Sequence, residues 1–172
     1  MTPTRHLGTA ALASALTLAS IAAPGADERA TPEEVIERVR QAAAHLAETG
    51  EAGLDAFRAA DSEFVWKDTY VVVGSCELDR IVVHPIRPDL EGMPLSVLTD
   101  GIGAVFGPDL CRAVEGPEGG WVEYLWPRPG EAHPSRKLTY SLNVEGTPYH
   151  VSAGVYDQDL TVEELDRLGD GR

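Results

Sequence analysis

Between Gly119 and Tyr140 the chain reads GGWVEYLWPRPGEAHPSRKLTY, and this stretch gathers two of the three tryptophans, two of the five tyrosines and a pair of adjacent cations. Trp121, Glu123 and Leu125 alternate with Val122, Tyr124 and Trp126, so a strand sends one set to each side of a sheet. Pro127 and Pro129 end that strand, since proline cannot donate to a ladder, and the polar run to Ser135 forms a loop. Arg136 to Tyr140 then opens a second strand. Paired as a hairpin, the two strands bring aromatic rings and a cation onto one face, a mixture that suits a small anion with an apolar tail. Adjacent residues on a strand face opposite ways, so only one of Arg136 and Lys137 turns inward: Lys137 travels with Thr139, Arg136 with Leu138 and Tyr140. A cation sunk into a pocket requires an anion; outside one, either is a solvated strand residue. Glu123 is expected opposite Lys137 as a cross-strand ion pair.

His84 closes an earlier strand beside Pro85. It is a candidate either to donate to a ligand carboxylate or to cap its loop on a backbone carbonyl. Arg87 is expected to pair with Asp89 or Glu91 in the same loop. Tyr70, Tyr124 and Trp126 are candidate pocket walls, with plain core packing as the competing role. Tyr156 reads as structural, His45 and His133 as surface residues, and His150 as ambiguous. No serine elbow, HExxH or glycine-rich phosphate loop occurs, so no catalytic residue, metal or cofactor is expected.

These side chains need a sheet and a cover. Thr31, Pro32 and Glu34 spell a capping box at the start of a helix whose apolar stripe is Val35, Val39, Ala42 and Leu46, with Gly50 as its stop. Residues 52–60 predict a second short helix. The run Tyr70-Val71-Val72-Val73 predicts a strand that pairs, through a turn at Glu77-Leu78-Asp79, with Arg80 to His84. Two prolines and Gly92 take 85–92 out of the sheet. Residues 105–114 carry a helical segment, His150 to Tyr156 a last strand, and Thr161 with Glu164 a capped terminal helix. Together these predict an α+β layer fold: five antiparallel strands, helices on one face, and loops over the other forming a pocket. The stripe from Val35 to Leu46 serves the core or a homodimer contact, leaving monomer and homodimer both open.

With 172 residues, the chain has room for one domain. Residues 1–26, a short basic start followed by an acid-free apolar run and small residues, read as a secretory signal peptide, which makes residues 27–172 the exported domain. A formal net charge of −14 argues against a nucleic-acid partner. In an exported chain Cys76 and Cys111 are expected to be bonded. A buried thiol pair or two metal ligands are the alternatives, the second lacking any CxxC or CxxH spacing.

The strings TYVVV, HPIRPDLEGMPL, GGWVEYLWPRPG, SRKLTY and TPYHVSAGVYD, in that order, resemble the single Cache domains, over roughly residues 55–157. The cysteines after the first strand and before the GGW string also resemble a soluble, exported subgroup made of one Cache domain. The resemblance implies a PAS-like five-stranded sheet outside the cytoplasm, binding a small organic acid such as acetate, propionate, lactate or pyruvate. It favours Lys137 as the ligand-side cation and draws in Tyr140, with Arg136, Tyr70, Tyr124, Trp126 and His84 as further contacts. It departs from the family at Thr99 to Gly107, which reads as irregular where a DxxG-type turn is usual, and in having no spanning segment after residue 157. The expectation is therefore a free periplasmic or secreted sensory protein that presents its ligand to a membrane-bound histidine kinase or chemoreceptor. A ligand-free Cache module acting by protein contacts is the alternative.

Overall fold

A computed structural model describes residues 29–59 and 61–169. The expected signal peptide lies outside the described residues. Helix α1 (Pro32–Thr49) begins at the expected capping box: Thr31 accepts from the Glu34 backbone N–H while Glu34 reaches back to the Thr31 N–H. Gly50, at φ 57°, ends it in the left-handed region that glycine tolerates. Residues 50–57 then form a 3₁₀ helix rather than an α-helix, in keeping with two glycines in so short a span, and bury Leu54 and Phe57.

The expected strand at Tyr70 is split. A two-residue hairpin, β1 (Val65–Trp66) with β2 (Thr69–Tyr70), precedes β3 (Val72–Ser75), and the Val71 N–H between them donates to Phe64 O. Strand β3 turns into β4 (Arg80–Val83). A long lid follows, with two 3₁₀ turns at Pro88–Leu90 and Leu95–Val97, and ends in α2 (Gly107–Ala113). Strands β5 (Gly120–Pro127), β6 (Pro134–Asn143) and β7 (His150–Tyr156) and helix α3 (Val162–Gly169) complete the chain. The main sheet runs β4-β3-β7-β6-β5, antiparallel throughout. This is the five-stranded α+β architecture expected from the pattern of elements.

Alternation divides the sheet into two faces. Val73, Val83, Leu138, Tyr140, Val151, Ala153, Val155 and Trp121 meet α1 and Leu165 in the main core. The other face carries Ile81 and Val122 beneath Leu90, Leu95, Leu98, Phe106 and Leu110. The lid that supplies those residues is held at both sides of the sheet. At the β3–β4 turn, the Asp79 carboxylate accepts the Ser96 N–H and hydroxyl at 2.8 and 2.6 Å. At β5, Asp100 accepts the N–H groups of Ile102, Ala104 and Leu125 at 3.0, 2.9 and 3.2 Å. Residues 99–107, irregular by sequence, are thus held by the Asp100 carboxylate together with backbone bonds such as Gly101 N–H to Leu125 O and Asp100 N–H to Ala104 O. Cys76 and Cys111 form a disulfide that ties the end of β3 to α2, with Cα atoms 5.7 Å apart.

Candidate ligand-binding site

Strand register decides what faces the lid. Lys137 pairs with Tyr124 on β5 and Tyr156 on β7, and Thr139 pairs with Val122 and Gly154, so Lys137, Thr139, Tyr124 and Tyr156 share the lid face. Lys137, Thr139 and Tyr124 floor a partly enclosed cavity of about 40 Å³ roofed by Leu90, Leu98 and Phe106. A larger groove of about 610 Å³ lies along the start of β5 beside α2 and α3, but it is open to solvent. The smaller cavity is the better site, since enclosure strengthens each polar contact.

Lys137 is 2% exposed. Its Nζ lies over the rings of Tyr70 and Tyr156, at 4.5 and 5.2 Å from their centroids. Among the described residues it has neither a hydrogen-bond acceptor nor a carboxylate within salt-bridge distance. Burial pushes the ammonium down to about 7, against a smaller opposing pull from the Asp68 carboxylate. Room for the side chain comes from Gly154: a Cβ there would stand 2.8 Å from Lys137 Cε and 2.6 Å from Thr139 Oγ1.

The walls are aromatic and tied to one another. The Trp126 indole N–H donates to the Tyr70 hydroxyl at 3.1 Å, and Thr139 donates to the Tyr124 hydroxyl at 2.9 Å. Phe106 stacks on Tyr124 with centroids 3.9 Å apart. Burial raises the Tyr70, Tyr124 and Tyr156 phenols above their ordinary value, so all three stay neutral. His84 lies against Tyr70, and its Nδ1 accepts the Arg87 backbone N–H at 3.0 Å. The imidazole thus caps its loop as an acceptor from an N–H, not as a donor to a carbonyl. Burial first, then the charges of Lys137 and Arg87, lower its pKa to about 3, so the ring is neutral and carries its proton on Nε2. The polar groups at the cavity are therefore the Lys137 ammonium, the neutral His84 imidazole and the neutral hydroxyls of Tyr70, Tyr124 and Thr139.

Of the expected contacts, Lys137, Tyr70, Tyr124, Trp126 and His84 meet at this cavity. Tyr140 and Arg136 do not. Tyr140 points into the main core beside Trp121, its hydroxyl donating to Glu118 O. Arg136, also on the reverse face, donates to Leu160 O and pairs with Glu123 at 2.6 Å. The Glu123 partner is thus Arg136 and not Lys137, because Glu123 lies opposite Leu138 in the register. Arg87 pairs with Asp89 at 2.7 Å as expected, while Glu91 pairs with Arg58. His45, expected at the surface, packs against Phe57 and Phe64.

Thr139, Ser152 and His150, which line the cavity, and Tyr156, whose ring meets Lys137 beside it, were not singled out from sequence. Tyr156 does hold structure, donating to Pro127 O at 3.0 Å, but its ring also faces Lys137. His150 is buried over Gly74, where a Cβ would meet its ring at 2.5 Å, and Nδ1 lies 3.5 Å from Cys76 Sγ. The available signal was the alternation in β7: His150, Ser152, Gly154 and Tyr156 interleave with Val151, Ala153 and Val155, marking a second non-aliphatic face.

The Single Cache domain 2 family model matches residues 17–168. The chain belongs to the single Cache domain family. Over 91 residues, 53% of its length, it is 28% identical to the methyl-accepting chemotaxis protein McpP of Pseudomonas putida KT2440, and spans 17% of that longer protein. The periplasmic sensor domain of a chemotaxis protein superposes with a TM-score of 0.59 at 28% identity, covering 77% of this chain and 97% of that one. A Cache chemosensory domain solved for its recognition of carboxylic acids gives 0.60 at 23% identity, covering 73% and 92%. Among the described residues no helix is long and apolar enough to cross a membrane.

Proposed function

We propose that the chain is an extracytoplasmic sensory domain that binds a short-chain monocarboxylate, with the carboxylate on Lys137 Nζ. The observation that carries this reading is the buried ammonium, with no carboxylate in salt-bridge distance among the described residues, facing a partly enclosed cavity of aromatic and aliphatic side chains. Coulomb energy between unit charges grows several-fold from water to a protein interior, so an anion that fits is held strongly there. The His84 N–H supplies a second donor. The aromatic and aliphatic walls take the alkyl part.

Size narrows the class. A water-sized group needs on the order of 10–15 Å³ of such space, so about 40 Å³ holds roughly three. Acetate and propionate fit this measure better than amino acids or sugars. That chemotaxis-receptor sensor domains share the fold supports a signalling role, with a membrane-bound chemoreceptor or histidine kinase as the partner that reads the bound state. Residues 1–26 as an export signal and 27–172 as the sensory domain complete the proposal. A ligand-free module acting by protein contacts alone gains nothing from keeping an unpaired charge buried.

The test is a thermal-shift series with acetate, propionate, lactate and pyruvate against amino acids and sugars, repeated in Lys137→Ala. A ligand that binds only the native state raises the midpoint by mass action. The expected result is a rise with the small acids that Lys137→Ala abolishes. Folded protein that responds to no carboxylate, or an undiminished response in Lys137→Ala, overturns the reading.

A further inference from the structure

Two spaces in this domain share a wall. Leu90, Leu98 and Trp126 line the inner cavity and also an outer cleft of about 430 Å³ on the far side of the lid. Leu90 and Leu98 are 8% and 6% exposed, and Trp126 is fixed by its bond to Tyr70. The rest of the cleft includes Met93, Val97, Pro127 and Pro134, of which Met93 and Val97 are 38% and 57% exposed. Apolar side chains are therefore left in water just beyond the partition.

We propose that Leu90 and Leu98, backed by Trp126, set the chain length of the ligand, and that the outer cleft is the space an alkyl tail longer than theirs would occupy. The inference rests on the carboxylate reading of the inner cavity. Lys137 rises from the sheet and the two leucines descend from the lid, so a tail directed away from the ammonium runs into them. The lid cannot simply lift: Asp79 holds it through Ser96, and Asp100 holds it to β5. Leu110 borders only the inner cavity, so trimming it adds no more than its own volume. Trimming Leu98 joins two spaces.

Isothermal titration of the full chain with acetate, propionate, butanoate and hexanoate tests this. Wild type should bind hexanoate at least about ten-fold more weakly than propionate, since one misfitted methylene is worth about ten-fold or more. Leu98→Ala should close or reverse that gap while acetate affinity stays within about three-fold, because its carboxylate contacts are untouched. Leu90→Ala should act in the same direction and serves if Leu98→Ala does not fold. Val97→Ala, which borders only the cleft, should leave the ratio unchanged. The proposal is overturned if wild type already takes hexanoate as well as propionate, or if the folded leucine variants keep the wild-type ratio. Acetate binding with an unchanged ratio removes the wall alone; no carboxylate binding in wild type removes the underlying reading as well.

Discussion

Replacing Lys137 by methionine separates a binding charge from a stabilising one. The side chain is 2% exposed, and burial takes its ammonium from 10.5 to about 7. At about 1.4 kcal/mol per pKa unit, keeping that ammonium protonated costs the ligand-free fold on the order of 5 kcal/mol below pH 7. The two ring contacts return about 1–2 kcal/mol. Methionine has nearly the same length and no charge, so the desolvation cost should win, and Lys137→Met should be more stable than wild type by about 3 kcal/mol at pH 6. The sign has a definite pH dependence. Between the folded value near 7 and the unfolded value near 10.5, the unfolded wild type binds more protons, so wild-type stability rises with pH. The advantage of methionine must therefore shrink from pH 7 upwards and be gone by about pH 10. Urea unfolding of both proteins at pH 6, 8 and 9.5, without ligand, measures it. Carboxylate binding should be lost in the same variant. A Lys137→Met protein less stable than wild type at pH 6, or a gap that does not change with pH, would refute the claim that this lysine is buried without an anion.

If the ligand anion restores the ammonium, binding near pH 8 should take up a fraction of a proton, seen as a dependence of the titration enthalpy on buffer ionisation heat; none would mean that Lys137 is already charged at that pH. Gly154→Ala should destabilise by about 1–3 kcal/mol and weaken acid binding, because its Cβ would stand within 2.6 Å of Leu138 O and Thr139 Oγ1. Burial pushes the Asp100 carboxyl up, but the backbone N–H groups of Ile102, Leu125, Ala104 and Gly103 together outweigh it and hold the carboxyl below its ordinary value, so their support is present at neutral pH and lost as pH falls through that lowered value. Asp100→Ala should therefore speed hydrogen exchange at the Ile102, Leu125 and Ala104 amides at pH 7, and unchanged rates would show that the lid does not depend on it. Breaking Cys76–Cys111 by double serine substitution should cost about 4 kcal/mol by loop entropy over its 35-residue separation, read as a lower unfolding midpoint.

Much of the scaffold was local enough to read in sequence. The capping box at Thr31 and Glu34, the stop at Gly50, the hairpin of β5 and β6 and the capped α3 each depend on residues a few positions apart. The parity of Lys137 and Thr139 against Arg136 and Tyr140 follows from strand alternation alone, and the sheet keeps it. Tyr140 was drawn towards the pocket by motif similarity against that parity, and the core took it. The break between β2 and β3 escaped the β-branched run at Tyr70 to Val73, because it depends on Phe64 and the β1 partner.

By itself the sequence determined the order of elements, the two faces of each strand, and a cation among aromatic rings, all consequences of short-range periodicity and turn chemistry. Only the tertiary structure decided that Lys137 has no carboxylate in salt-bridge distance among the described residues, that Glu123 turns to Arg136, that His84 spends Nδ1 on its own loop, and that two lid leucines border both the inner cavity and the outer cleft. Each of these depends on which distant segments become neighbours. Strand β7 enters the sheet between β3 and β6, and the lid crosses from β4 to β5, so the distances that set charge, size and access are fixed by packing across the chain and not along it.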